Sequence, residues 1–253
     1  MKFFLINNTG RKTYNELYGA HLQLTDKVED ADAILVIGGD GSLLHAIAKY
    51  QELDKPFIGI HGGTRGYLMN NVETPEQFIN CINDVEYESL WMLDADITTL
   101  KSTTKVHAFN DIWVNRATPQ TLRMEISIDG VIQPAMIIGD GMLFCTPQGS
   151  TGYNMALRGK IISPGVPVLQ MTPISCVVNK TPLGSVILSD TCEVSVDFLQ
   201  TDKRPGYLFF DGIQYDSEVV KNMTVRKSER TIKIGLIERY SVRNKVTAWL
   251  FNT

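Results

Sequence analysis

The sequence predicts an α/β unit followed by an all-β unit. Up to about residue 95, unpunctuated apolar runs such as Ala33-Ile34-Leu35-Val36-Ile37 alternate with stretches of helical period. Beyond that point the period drops to two: Leu122, Met124, Ile126 and Ile128 alternate with Arg123, Glu125 and Ser127. The chain has 253 residues, 43% of them hydrophobic and 21% charged, enough for one large domain or two small ones with a real core. The expected division is 1–95 and 96–236.

Each element has its own signal. Phe3 to Asn7 is a short apolar strand, and Arg11 to Leu24 carries Tyr14, Leu17, Tyr18, His21 and Leu22 at helical spacing. The strand Ala33–Ile37 runs into Gly38-Gly39, after which Ser42 is expected to cap a helix whose Leu43, Leu44, Ile47 and Ala48 share a face. Phe57 to Ile60 is a further apolar strand, closed by His61-Gly62-Gly63. Thr74-Pro75-Glu76-Gln77 reads as a helix start: a capping threonine, proline in the first turn, glutamine three residues after the cap. Strands that are apolar throughout imply a parallel sheet covered on both faces. In the second half, Asp129-Gly130 signals a hairpin turn. Cys192, Val194, Val196 and Phe198 alternate with polar residues, and so do Ile232, Ile234 and Leu236. This half should be antiparallel β, with one short helical stretch after Gly149.

Composition excludes several function classes. Lys and Arg total 24 against 28 Asp and Glu, a formal charge of −4, which argues against binding a nucleic-acid backbone. No apolar run reaches the length of a membrane span or a signal-peptide core. Cys81, Cys145, Cys176 and Cys192 show no C-x-x-C pairing, and low cysteine use points to a reducing, cytoplasmic setting. The histidines His21, His45, His61 and His107 lack metal-ligand spacing. Cys145 reads as a small buried residue, and Asp211-Gly212 as a turn beside Phe209-Phe210. There is no Walker A loop, no G-x-G-x-x-G and no G-x-S-x-G elbow.

Four segments could carry chemistry. Gly38-Gly39-Asp40-Gly41-Ser42 joins a buried strand to a helix, where bare backbone admits a ligand and the helix start offers N–H groups to an anion. Asp40 there can accept a proton or orient a hydroxyl, although Asp40-Gly41 also suits a plain turn. His61-Gly62-Gly63-Thr64-Arg65-Gly66-Tyr67 follows the next strand, and by the strand-end rule it can face the same crevice as Asp40. Phe109-Asn110-Asp111-Ile112 places a polar pair inside a strand-like apolar run, costly unless the pair is partnered or functional. Last comes Gly139-Asp140 through Thr146-Pro147-Gln148-Gly149-Ser150-Thr151-Gly152-Tyr153-Asn154, in which Gly149–Gly152 looks like a helix-opening anion or nucleotide loop with two hydroxyls.

Taken in order, these segments resemble the NAD kinase family, which makes NADP from NAD with ATP or polyphosphate. The resemblance spans roughly Ile34 to Leu236. Its most specific part is Thr146-Pro-Gln-Gly-Ser-Thr-Gly-Tyr, similar to the family's T-P-T-G-S-T-A-Y; the G-G-D-G element is shared with 6-phosphofructokinases and lipid kinases. The resemblance implies that residues 237–253 return to the first domain. It implies that Asp40, with Gly41 beside it, lies at the 2′-hydroxyl of the adenosine ribose and activates it. Asn110 and Thr151 would meet the adenine end, and Asp111 and Asp140 ribose or nicotinamide-side groups. Tyr67, Tyr153 and Ser175 would lie along the dinucleotide, beside Ser150, Gly152 and Asn154. It further implies Mg²⁺ or another divalent cation arriving with the phosphate donor, and a homodimer or homotetramer. The chain departs from the pattern at Gln148, at Gly152 in place of alanine, and at Ile138, where some relatives carry arginine. Ala156 stands where relatives often have a serine that reaches adenine, and Asp111 is the shorter choice at the family's N-E/D position. The rival readings are a G-G-D-G lipid kinase and a non-catalytic dinucleotide sensor.

Overall fold

The computed structural model describes residues 1–62, 66–72, 74–216 and 218–237. The chain divides into two compact units, one of Met1–Leu90 with the segment starting at Thr231, the other Trp91–Arg230.

The first unit is built on β1 (Lys2–Asn7), α1 (Lys12–His21), β2 (Gln23–Thr25), β3 (Ala33–Gly38), α2 (Asp40–Tyr50), β4 (Phe57–His61) and α3 (Pro75–Asn80). Its strands run parallel in the order β2-β1-β3-β4, as their apolar character requires. Ala33 to Ile37 is buried along its whole length, with Ala33, Leu35 and Ile37 packed with Phe3, Tyr18, Ile58, Ile60 and Phe78. The helix α1 stops three residues short of Leu24, because the chain turns extended at Leu22 and the following residues pair with the edge of β1. Thr74 caps α3 as expected, its hydroxyl accepting the N–H of Gln77 (3.3 Å). Ser42 does not cap α2. Gly39 (φ −117°, ψ −178°) takes that position, Asp40 enters the first turn, and Ser42 lies within the helix with its side chain over Gly38. An acidic residue in the first turn suits the positive end of the helix dipole.

The second unit contains β5 (Val85–Thr99, entering from the first unit), β6 (Thr103–Ala108), β7 (Asp111–Arg116), β8 (Leu122–Ile128), β9 (Val131–Ile132), β10 (Ile137–Gly139) and β11 (Gly141–Cys145). After the short α4 (Tyr153–Ala156) come β12 (Val168–Ile174), β13 (Val177–Val178), β14 (Thr181–Pro182), β15 (Val186–Ser189), β16 (Val194–Leu199), β17 (Gly206–Phe210), β18 (Ile213–Gln214) and β19 (Val220–Ile237). One six-stranded sheet has the order β15-β12-β11-β7-β17-β18, antiparallel throughout. A second set runs β14-β13-β10-β8-β16-β19. Between them lies a core that includes Ile112, Val114, Met142, Phe144, Met124 and Val196. Asp129 (φ +49°) and Gly130 (φ +77°) form the expected turn between β8 and β9, both left-handed as a tight hairpin demands.

Two strand expectations are corrected. Cys192 lies in the turn before β16, its N–H bonded to Ser189 O, so the alternation begins at Val194. Ile232, Ile234 and Leu236 are buried on β19, but Ile234 and Gly235 pair in parallel with Phe57 and Ile58 of β4. The alternation marks one long strand that is antiparallel to β16 at Asn222–Val225 and parallel to β4 at its end. Period alone does not distinguish the two pairings. The expected return of 237–253 lies outside the described residues beyond Ile237.

Candidate active site

In the first unit, β3 and β4 are neighbours in register, Gly38 opposite His61, so the two glycine-rich loops leave the same edge of the sheet. They meet at Asp40. Its Oδ2 accepts the N–H of Tyr67 (2.8 Å) and its Oδ1 that of Leu68 (3.0 Å). Gly66 makes this approach possible: a Cβ there would stand 2.6 Å from Asp40 Oδ1. At Gly39 and Gly41, by contrast, an added Cβ would meet nothing within 4 Å, so their bareness leaves open space at the helix start. The segment is anchored by Asn70, which is fully buried. Its amide donates to Gly59 O (2.9 Å) and Gly235 O (3.0 Å), and its Oδ1 accepts from Ile237 N (2.8 Å). Gly63, Thr64 and Arg65 of the second motif lie outside the described residues.

In the second unit, Asn110 lies outside the strands, whereas Asp111 is the first residue of one. The chain bends at Phe109-Asn110 between β6 and β7, and Asp111 opens β7. The bend is held by a residue whose sequence context marks only a turn. Asp211 is 4% exposed, and its carboxyl accepts the N–H groups of Phe109 (Oδ2, 2.7 Å), Asn110 (Oδ1, 2.7 Å) and Asp111 (Oδ1, 3.2 Å). It does form the expected turn, with Asp211 (φ +46°) and Gly212 (φ +79°) between β17 and β18, and the turn aims its side chain inward. Asn110 and Asp111 are 8% and 5% exposed. Asn110 Oδ1 has no hydrogen-bond partner among the described residues. Burial, reinforced by the nearby Asp211, pushes the Asp111 carboxyl up to about 8. Burial also pushes Asp211 up, to about 6, against the pull of its three N–H donors.

The Gly149–Gly152 segment faces this pair. A Cβ on Gly149 would stand 2.2 Å from Asn110 O, and one on Gly152 3.5 Å from Asp111 Oδ2. The segment is a short 3-10 turn, Gln148–Thr151, that runs through Gly152 into the four-residue helix α4, so it opens a helix as expected from its sequence. Its hydroxyls are committed to backbone: Ser150 Oγ donates to Pro147 O (2.6 Å) and accepts from Ile162 N (2.9 Å), and Thr151 Oγ1 donates to Gln148 O (3.4 Å). Asn154 is buried, its amide donating to Ser150 O (3.0 Å) and its Oδ1 accepting from Thr172 Oγ1 (2.6 Å). Gly152, Tyr153 and Ala156 are exposed. The Tyr153 ring lies 5.2 Å from Trp113, which stacks on Phe209 (5.1 Å, 9°). Burial, then Asp140 and Asp111, raise the Tyr153 phenol. Asp140 pairs with Arg116 (Nε to Oδ1, 2.8 Å), a cation supplied by β7. Ile138, two residues before Asp140, is half-buried. Ser175 is exposed and left-handed (φ +50°) just after β12.

Among the described residues no three His, Cys, Asp or Glu side chains gather to hold a metal, and no helix is long and apolar enough to cross a membrane. A magnesium ion held mainly by a nucleotide's phosphates needs only one or two protein carboxylates. Each Asp40 oxygen retains a lone pair beyond its N–H bond, so one can face such an ion while the other faces a hydroxyl.

Comparison with known proteins places this geometry. The model of the ATP-NAD kinase N-terminal domain matches residues 7–89, and that of the ATP-NAD kinase C-terminal domain residues 109–236. The NAD kinases of Rickettsia rickettsii and Rickettsia akari are each 30% identical, over 222 and 228 residues, covering 87% of this chain and 86% of their own. In fold the chain is similar to yeast NADH kinase in complex with NADH, with TM-score 0.84 and 20% identity over all of this chain and 88% of the other. It is also similar to an NAD kinase from Archaeoglobus fulgidus in complex with ATP, with TM-score 0.77 and 22% identity over 98% of each.

Proposed function

This chain belongs to the NAD kinase family, transferases that make NADP from NAD with ATP, and we propose that Asp40 activates the acceptor, the 2′-hydroxyl of the adenosine ribose. The observation that carries this is the Asp40 carboxylate, fixed by the Tyr67 and Leu68 N–H groups in an otherwise open glycine loop. Phosphoryl transfer depends on positioning and on charge stabilisation more than on covalent chemistry by the protein. Held from two sides, the carboxylate cannot rotate, and each oxygen still has a lone pair for the ribose hydroxyl. The hydroxyl oxygen bonds to the γ-phosphorus, the bond from that phosphorus to the ADP oxygen breaks, and the hydroxyl proton passes to Asp40. N–H groups at the start of α2, with Gly41 bare beside them, suit the phosphate charge. A divalent cation carried by ATP supplies further neutralisation when bound; polyphosphate is the alternative donor.

Asn110 and Thr151 bind the adenine end, and Asp111 and Asp140 the ribose or nicotinamide side. The buried, unpartnered Asn110 Oδ1 supports this, because buried polar groups without partners are costly unless a ligand satisfies them. Tyr67, Tyr153 and Ser175 lie along the dinucleotide, and Gly152 and Ala156 keep its path clear. Ser150 and Asn154, bonded inward, shape that segment from behind. The protein assembles as a homodimer or homotetramer, for which the largely exposed Val131 and Ile132 on the short β9 speak. Four free cysteines agree with a cytoplasmic setting. The test is NADP formation from NAD with ATP and Mg²⁺, comparing wild type with Asp40→Ala. A folded Asp40→Ala protein at wild-type turnover would refute the assignment.

A further inference from the structure

We propose that Asp211 is a positioning residue for dinucleotide recognition: it sets the backbone of the Phe109–Asp111 bend and thereby aims Asn110 and Asp111 at the ligand. The inference rests on the assignment of Asn110 and Asp111 as dinucleotide contacts.

Three consecutive N–H groups, from Phe109, Asn110 and Asp111, converge on one carboxyl from 100 residues away. A bend between two strands leaves such N–H groups without ladder partners, and in a buried place they must be satisfied. Asp211 satisfies all three with two oxygens. The return contact closes the arrangement, with Asp211 N–H donating to Asp111 O (3.0 Å). From the other side, Thr146 Oγ1 donates to Phe109 O (2.9 Å), and Gln148 donates to the same carbonyl (2.9 Å). The bend is therefore held through its N–H groups by one residue and through its carbonyls by the Thr146–Gln148 segment. The side chains of Asn110 and Asp111 take no part in this scaffold. Their directions are consequences of it.

An amide at position 211 would present an NH₂ group to one of the three N–H donors, so Asp211→Asn disturbs the bend with almost no change in volume. Calorimetry with NAD, and steady-state kinetics in NAD and ATP, should then show NAD affinity weakened at least tenfold. The ATP KM should stay within twofold of wild type, a split that general loosening of the protein would not produce. The double variant Asn110→Ala/Asp211→Asn should bind NAD no more weakly than the poorer single variant, because both act through one contact set. Additive losses, or wild-type NAD affinity in folded Asp211→Asn, overturn the proposal. Asn110→Ala alone separates the two readings: if it binds NAD normally, the contact assignment fails first. If it weakens binding while Asp211→Asn does not, only the positioning role fails. Should Asp211→Asn not fold, Asp211→Ser serves, since its shorter side chain withdraws the two acceptors without facing the N–H groups with a fixed donor. It should bind NAD more weakly than wild type, and normal affinity there is equally fatal.

Discussion

The buried Asp111 carboxyl predicts an unusual dependence of stability on pH. Its ordinary value of 3.8 is raised to about 8 in the folded chain, by burial and by the neighbouring Asp211. A carboxyl whose folded pKa is raised binds more protons folded than unfolded between those two values, so stability falls as pH rises through that window. The slope is about 1.4 kcal/mol per pH unit, so from pH 5 to pH 8 this one group removes about 4 kcal/mol. Asp211, raised to about 6, acts in the same direction over the lower part of the window. Asp111→Asn replaces the carboxyl with a neutral group of nearly the same shape. Urea unfolding at pH 4, 5, 6, 7 and 8 should show wild type and variant converging at pH 4. The variant should be the more stable by a few kcal/mol at pH 8, while binding NAD more weakly. The same slope in both proteins between pH 5 and pH 8 would show that Asp111 ionises normally when folded. Below about pH 8 the neutral Asp111 carboxyl can donate as well as accept a hydrogen bond, which suits the ribose contact proposed for it.

Three further outcomes are expected. Asp40→Asn should lower turnover by about 10²–10⁴-fold, the usual worth of a general base. It should also lower the melting midpoint, because an amide must face either Tyr67 N–H or Leu68 N–H with a donor; unchanged turnover in steady-state assays refutes the role. Gly66→Ala, whose Cβ would crowd Asp40 Oδ1 at 2.6 Å, should reduce kcat with the fold retained by circular dichroism, and normal kcat would show that the contact yields freely. Exhaustive EDTA treatment should abolish NADP formation and Mg²⁺ restore it, whereas full activity without the ion would remove the cation from the reaction.

The parallel strands, the β3–α2 loop and the capped start of α3 were legible because their causes are local. Apolar runs, a glycine cluster and a Thr-Pro start act within a few residues of themselves. The bend at Phe109-Asn110 is hidden in a strand-like apolar run, since β6 ends at Ala108 and β7 starts at Asp111, only two residues apart. Asn70 was invisible, since its partners lie at Gly59, Gly235 and Ile237, up to 167 residues away. Ser150, one of the two hydroxyls of the Gly149–Gly152 loop, is a buried link between Pro147 and Ile162. In each case the missing information was a long-range hydrogen bond, which no periodicity encodes.

Asp40 and Asp211 make the point sharpest, for both precede a glycine and both suit a turn. In each, the carboxyl accepts backbone N–H groups contributed by a distant segment: two from Tyr67 and Leu68 for Asp40, three from Phe109 to Asp111 for Asp211. What separates their roles is burial and valence. Asp211, 4% exposed, spends its oxygens on three donors and lies away from solvent, so it can act on a ligand only through the backbone it holds. Asp40 is half-exposed, spends one lone pair per oxygen and stands beside the open positions of Gly39 and Gly41. The same bond thus immobilises both carboxyls, and of the two only Asp40 keeps a spare lone pair on each oxygen for the proton transfer proposed for it.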